Sequence, residues 1–231
     1  MKTTVSQVMS SPAIVVPVGA PFKEVVETLQ GRHIGALPVV DEEGRVAGVV
    51  SEGDLMLKEE RRELEERRHL LPRRRGRSRA KAAGTTAAEV MTSPAITIWA
   101  EERIALAAHI LHERDVHHLP VVDEQGRPLG VVTRGDLLKV FMRPDEQIRA
   151  DVVRDLLQRT LWLETAEVTV AVDAGVVHLT GKLPRKTDVR LVERLVPLVD
   201  GVVDVQTDLT YQFDDTRVQP EQSQPWAPPR R

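Results

Sequence analysis

Two short stretches of the chain carry the residue types best suited to holding a ligand. Ser51 and Asp54 in GVVSEGDL, and Thr133 and Asp136 in GVVTRGDL, each place a hydroxyl and a carboxylate three residues apart, directly after a short apolar run. At that spacing the pair fits a capping box, in which the two side chains satisfy free backbone amides at a helix start. The same pair fits a sugar: a carboxylate accepts two hydrogen bonds from a vicinal diol, each such charge-assisted bond contributing about 1.5–3 kcal/mol net. A helix N-terminus beside it attracts phosphate. Gly48 and Gly53, matched by Gly130 and Gly135, recur with the two pairs, and glycine lets a backbone turn sharply or approach a neighbour closely. Spacing alone leaves the capping and ligand readings both open.

Other chemistries find less support. The chain has no cysteine, which removes disulfides, thiolate catalysis and cysteine-ligated zinc together. His109, His112, His117 and His118 fall within ten residues, but no ordered third ligand of a metal site accompanies them, and no metal is expected. No nucleophile–base pair, phosphate-cradling loop or paired acid cluster stands in a recognisable context, so the chain is not expected to be an enzyme.

The two stretches belong to a longer duplication. Sliding the chain by 82 residues aligns positions 8–57 with 90–139 at 22 identities in 50 positions. A period this long means two copies of one supersecondary unit, neither able to bury its apolar face alone. Within a copy, Ala13 to Val16 reads as a short strand, and Phe22, Val25, Val26 and Leu29 recur at helical spacing. Ile104, Ala107, Ala108 and Leu111 repeat that helix. Leu37 to Val40 and Val46 to Val50 read as strands joined by an acidic, glycine-containing turn, and Asp54 to Leu57 opens another helix. The unit is strand, helix, strand, turn, strand, helix, and packing two units through their sheets would cover both. With 231 residues, 41% of them hydrophobic, and a formal charge of −3, an α/β (α+β) protein of more than one part is expected, without a whole-molecule attraction to polyanions. No basic n-region followed by an apolar core opens the chain, and no run of about 20 apolar residues occurs, so a cytoplasmic protein is expected.

The paired blocks, with LPVVD ahead of G-V-V-[ST]-x-G-D, resemble a tandem of cystathionine-beta-synthase (CBS) domains. The resemblance implies a pseudo-two-fold module with two clefts for adenosine-containing ligands such as AMP, ADP, ATP or S-adenosylmethionine, and no required cofactor. It implies that Asp54 and Asp136 take ribose hydroxyls with Ser51 and Thr133 beside them, each cleft being completed by the other repeat. Ser51 and Asp54 would then face Val116 and His117, while Thr133 and Asp136 would face Ile34 and Gly35. Because His117 stands at a phosphate-side position where repeat one has Gly35, the clefts should differ in affinity. A homodimer formed through helices is also implied.

Between the repeats, residues 58–87 form a charged helix extension, with acids and bases four apart, and then a basic linker from Arg73 to Lys81. That basic run fits a solvated linker, the favoured reading, or a phosphate-binding arm; it has no aromatic residue for base stacking, and nucleic acid is not an expected partner. Repeat one is assigned to 1–57 and repeat two to 88–143. Beyond Pro144, Ile148, Val152, Val153, Leu156 and Leu157 mark a helix. Val168 to Val172 and Val176 to Thr180 form a hairpin, Lys186 to Val199 a second helix, and Val202, Val203 and Val205 a last strand. This αββαβ order over 146–213, with DAGVVHLTGK and VDGVVDV, resembles a BON domain, as in bacterial CBS–BON proteins, and implies a protein or lipid partner. Residues 214–231, rich in Pro and Gln, are expected to be disordered. The function expected is that of a nucleotide-binding regulatory protein, with a scaffold whose clefts are vestigial and whose BON domain engages lipid or protein as the alternative.

Overall fold

The computed structural model describes residues 3–57 and 85–217. Of the helix extension and basic linker read at 58–87, residues 58–84 lie outside the described residues, as does the tail beyond 217. The chain divides into two compact units, Lys2–Val140 and the residues from Phe141 onward.

In the first unit each repeat builds a three-stranded sheet. Repeat one contributes β1 (Val16–Pro17), α1 (Phe22–Arg32), β2 (Ala36–Val40), β3 (Val46–Ser51) and α2 (52–57). Repeat two follows with α3 (Ala87–Val90), β4 (Ile98–Trp99), α4 (Ile104–Glu113), β5 (His118–Val122), β6 (Pro128–Thr133) and α5 (Arg134–Leu138). In both sheets the short first strand runs parallel to the second, and the second pairs antiparallel with the third. The first strand begins later than the apolar run predicts, at Val16 rather than Ala13. The 13–15 stretch is committed elsewhere: Ala13 N–H donates to the Leu129 carbonyl of repeat two.

That bond is part of an exchange between repeats. The chain leading into repeat one crosses the sheet of repeat two, with Ser10 and Val131 exchanging backbone hydrogen bonds of 2.9 and 3.0 Å. The chain leading into repeat two crosses the sheet of repeat one, with Thr92 and Val49 exchanging bonds of 2.8 and 3.0 Å. The apolar cores follow the same crossing. Val5 and Val8 are buried with Ile98, Ala107, Leu111, Leu119 and Val132, and Ala87 and Val90 with Val16, Val25, Leu29, Leu37 and Val50. The neighbouring hairpins also meet, Val46 N–H donating to the Gly126 carbonyl at 3.0 Å. Each hairpin turn is tied by its aspartate, Asp41 accepting from Arg45 N–H and Asp123 from Arg127 N–H, both at 2.8 Å. Neither repeat closes its core alone, as the duplication predicts, and reciprocal exchange is how the pair closes both.

The second unit is a sheet of three strands covered on one face. A helix, α6, runs over Asp145–Ala150 and continues with wider, π-type turns over Asp151–Thr160. Then come β7 (Val168–Asp173), β8 (Val176–Arg185), α7 (Lys186–Leu195) and β9 (Asp204–Phe213). The central strand β8 is antiparallel to β7 and parallel to β9. Ile148, Val152 and Leu157 from α6 and Val189 and Val192 from α7 meet Val170, Val177, Leu179 and Leu183 from the sheet. Two expectations are corrected. The last strand starts at Asp204 and is ten residues long, because Val202 and Val203 belong to the turn that delivers it, Val203 N–H bonding the Gly175 carbonyl at 2.9 Å. Residues 214–217 are ordered rather than disordered: Lys186 holds Asp214 at 2.9 Å, and Asp215 accepts from Thr187 N–H and from its hydroxyl.

Candidate functional site

The two corners of the duplicated unit are set by strand ends. β3 finishes at Ser51 and β6 at Thr133, and each strand passes without a linker into a helix. The abrupt change of direction leaves backbone amides at each helix start without partners, and the hydroxyl and the aspartate three residues on answer one each. Asp54 Oδ2 accepts from Ser51 N–H at 3.0 Å and from Ser51 Oγ at 2.8 Å, while Asp54 N–H donates to Ser51 Oγ at 3.4 Å. Asp136 Oδ2 accepts from Thr133 N–H at 2.9 Å and Thr133 Oγ1 at 2.8 Å, with the return bond at 3.2 Å. Both corners are complete capping boxes.

The remaining oxygens meet different surroundings. Asp54 Oδ1 accepts from Thr92 Oγ1 at 3.3 Å, a hydroxyl carried in on the exchanged segment of repeat two. Asp136 Oδ1 accepts from Lys139 Nζ at 2.7 Å, and that ammonium also donates to the Val8 carbonyl at 3.3 Å, on the exchanged segment of repeat one. Asp136 is 8% exposed. Burial pushes its pKa up, but the hydrogen bonds from Lys139 and Thr133, with the lysine's charge, outweigh that and hold it below the usual carboxylate range. Each crossing segment thus contributes a polar group beside the corner it reaches.

The glycines divide by role. A Cβ on Gly130 would lie 2.6 Å from the Ser10 carbonyl oxygen and 2.8 Å from Met9 Sδ, and one on Gly48 would lie 2.9 Å from the Thr92 carbonyl oxygen and collide with Met91. These two are small because a crossing segment lies on them, not because a ligand must approach there. Gly53 and Gly135 leave ordinary contact distance to Ser51 and Thr133, 3.7 Å in both.

The residues expected to complete the clefts fall into two groups. Ile34 and Val116 are half-buried, each packed at the edge of the core of its own repeat. Gly35 lies at the seam between repeats, where a Cβ would stand 2.8 Å from Nε2 of His118. His118 is half-buried and is the ladder neighbour of Thr133, so Gly35 comes within one residue of the Thr133–Asp136 corner. His117 is exposed. Burial lowers the His118 pKa, the adjacent His117 adds to that, and the charges of Glu52 and Asp136 oppose it. His118, Glu52, Lys139 and Thr92 are therefore site neighbours that motif reading passed over. A signal existed for two of them: at the 82-residue offset, repeat one has Ala36 where repeat two has His118, and Leu57 where it has Lys139. Among the described residues no group of three or more metal-ligating side chains gathers, and no helix is long and apolar enough to cross a membrane.

A duplicated strand–helix corner on two exchanged α/β repeats, followed by a separate αββαβ sheet, defines a paired-repeat module with an appended small domain. The CBS domain family matches residues 5–60 and 87–143, and the BON domain family matches 144–212. The chain is a CBS domain pair followed by a C-terminal BON domain. A CBS domain-containing protein of Dictyostelium discoideum is 28% identical over 148 residues, 64% of this chain and 97% of that one. An uncharacterized protein of Methanocaldococcus jannaschii is 25% identical over 187 residues, 78% of this chain but 39% of its own length. Among solved structures, CBSX2 in complex with AMP is 24% identical, with a TM-score of 0.48 over 60% of this chain and 96% of its own.

Proposed function

We propose that the chain is a non-enzymatic regulatory protein whose CBS pair binds an adenosine-containing ligand, AMP, ADP, ATP or S-adenosylmethionine, at its two corners. The carboxylates of Asp54 and Asp136 take the ribose hydroxyls, Ser51 and Thr133 lie beside them, and Gly35, Ile34, Val116 and His117 contribute from the facing repeat. Occupancy ties the repeats together and is read out through rearrangement of a homodimer or of the BON domain, in the cytoplasm. The observation that carries this reading is the repeated hydroxyl–carboxylate corner in a member of the CBS family, each corner reached by a polar group from the opposite repeat. A ligand bridging such a seam stabilises both repeats at once.

A thermal-shift series with those four ligands on the full chain, Asp54→Ala and Asp136→Ala tests it. At a hundredfold excess over the dissociation constant, binding adds about 2.7 kcal/mol, a rise of about 5–10 °C for a domain of this size. Loss of the rise in an aspartate variant supports the reading. No rise with any of the four ligands contradicts it.

One observation favours a second reading. At both corners an aspartate oxygen is already engaged by its own cap, as it would be in a scaffold whose clefts are vestigial and whose BON domain engages protein or lipid. That protein would show no shift with adenine ligands and would retain a macromolecular partner.

A further inference from the structure

The two edges of the BON sheet are guarded unequally. β7 is attended by α6: Arg149 Nε donates to the Val170 carbonyl at 2.8 Å, and Asp145 accepts from the amides of Ala174 and Gly175 where the strand turns. β9 forms the other edge, and among the described residues no strand or bridge pairs with its outer side. It runs beside β8 from Val176 opposite Asp204 to Arg185 opposite Phe213 without a shift of register. Edge strands are ordinarily blunted by shortness, lysine, proline or a bulge. β9 is ten residues long and has none of these.

Its side chains divide by parity. Val205 and Leu209 pack against the core with Leu179 and Leu183, so the odd positions share the helix-covered face. Gln206, Asp208, Thr210 and Gln212 line the open face and are exposed. Tyr211 and Phe213 belong to the covered face yet stay 40% and 57% exposed. We propose that β9 is an association edge for a second copy of this chain, paired antiparallel about Leu209. In that register Val205 stands opposite Phe213 of the second copy and Thr207 opposite Tyr211, each pair occurring twice, so both exposed aromatics gain a cross-strand neighbour. On the open face Asp208 meets Thr210 and Gln206 meets Gln212. The neighbouring registers are worse. A centre at Asp208 sets two like charges directly opposite each other, and a centre at Thr210 leaves Val205 and Gln206 unpaired. A slip by a single residue sets covered-face side chains against open-face ones. The strand is thus complementary to itself in one register, which is what selects a second copy over another partner. This association is separate from any made by the CBS pair and does not rest on the ligand reading.

The absence of cysteine from the natural chain makes the register directly readable. In the proposed pair position 206 lies opposite position 212 of the other copy, while equivalent positions, 206 with 206 or 212 with 212, lie roughly 20 Å apart along the strands. Mild oxidation of the full chain carrying both Gln206→Cys and Gln212→Cys should give a covalent dimer, and either single variant should give none. All substituted positions are exposed. Adding Thr210→Asp to the double variant sets a carboxylate opposite Asp208 twice and should slow cross-linking about tenfold, whereas adding Thr210→Lys sets opposite charges together and should speed it about fivefold. Both changes remove the same Thr210 hydroxyl bond to the Gly181 carbonyl, so their difference reports charge across the pair. Failure of the double variant to link, as when another strand of this chain or of a different protein covers the edge, overturns the proposal. Linking of the single variants at the same rate, or rates indifferent to the charge at position 210, overturns it as well.

Discussion

Val5 and Val8 sit in the core of repeat two, and Ala87 and Val90 in the core of repeat one, whereas every buried residue of the BON core comes from 148–202. The CBS pair closes by lending each half a turn of the other. The BON sheet closes with two helices of its own. The contrast shows up in the glycines: Gly48 and Gly130 are small so that a segment from the opposite repeat can cross them, while Gly181, at φ +125°, serves a local bend against Glu167 in the adjacent strand connection. Damage to one CBS repeat should therefore spread to the other, while damage to the BON sheet should remain local.

The sharpest way to break that contrast is Val5→Asp. Val5 is fully buried, and placing a carboxylate there leaves an unpaired charge in an apolar core, a loss of about 3–5 kcal/mol. Urea titration followed by residue-resolved hydrogen exchange should show repeats one and two losing protection together. Survival of repeat one with only repeat two lost would contradict the exchange as a stabilising device. Gly181→Ala is expected to cost about 3 kcal/mol, since a side chain there meets both an unfavourable φ and the Glu167 carbonyl. Its effect should be confined to amides of β7–β9. Gly130→Ala should cost about 1–3 kcal/mol by pushing Ser10 and Met9 off β6, and exchange should quicken at Ser10 and Val131 before anywhere in the BON sheet. Thr133→Ala removes one half of a capping box and should cost about 1 kcal/mol.

The smallest effect concerns acid. Bonds from the Thr216 hydroxyl and from Lys186 hold Asp214 at a pKa of about 2, below its ordinary 3.8. A carboxylate lowered by folding stabilises the folded state fully above pH 3.8, and that contribution is lost as pH falls through about 2. Asp214→Asn should flatten the acid limb of BON stability between those values and leave the neutral region nearly unchanged. An unaltered acid limb would show that the Lys186–Asp214 contact does not hold the end of β9.

Much of this was legible in the residues. The 82-residue offset gave the order of elements in both repeats, and Leu37 to Val40 and Leu119 to Val122 fall in strands as their apolar runs predict. Ser51–Asp54 and Thr133–Asp136 end as caps, one of the two readings that spacing allowed. The exchange was not legible. Val8-Met9 and Val90-Met91 are identical pairs, so nothing in them says which sheet each crosses, and the choice is settled only by non-local pairing. The differences at Ala36 and His118 and at Leu57 and Lys139 were in plain view, but their meaning depends on strand register and on what lies across the seam. In the BON domain, Val202 and Val203 carried the strand pattern a turn too early, because a hydrogen bond to Gly175 outweighs their β propensity.

On the proposed reading, the interlocked pair holds its ligand as one unit at the strand–helix corners. Hydrogen–deuterium exchange of the full chain with and without saturating AMP tests it most directly. The account predicts slowed exchange at a corner, 51–57 or 133–138, together with the segment that crosses to it from the other repeat. Slowing confined to the BON strands, or no change anywhere in the CBS pair, would contradict it.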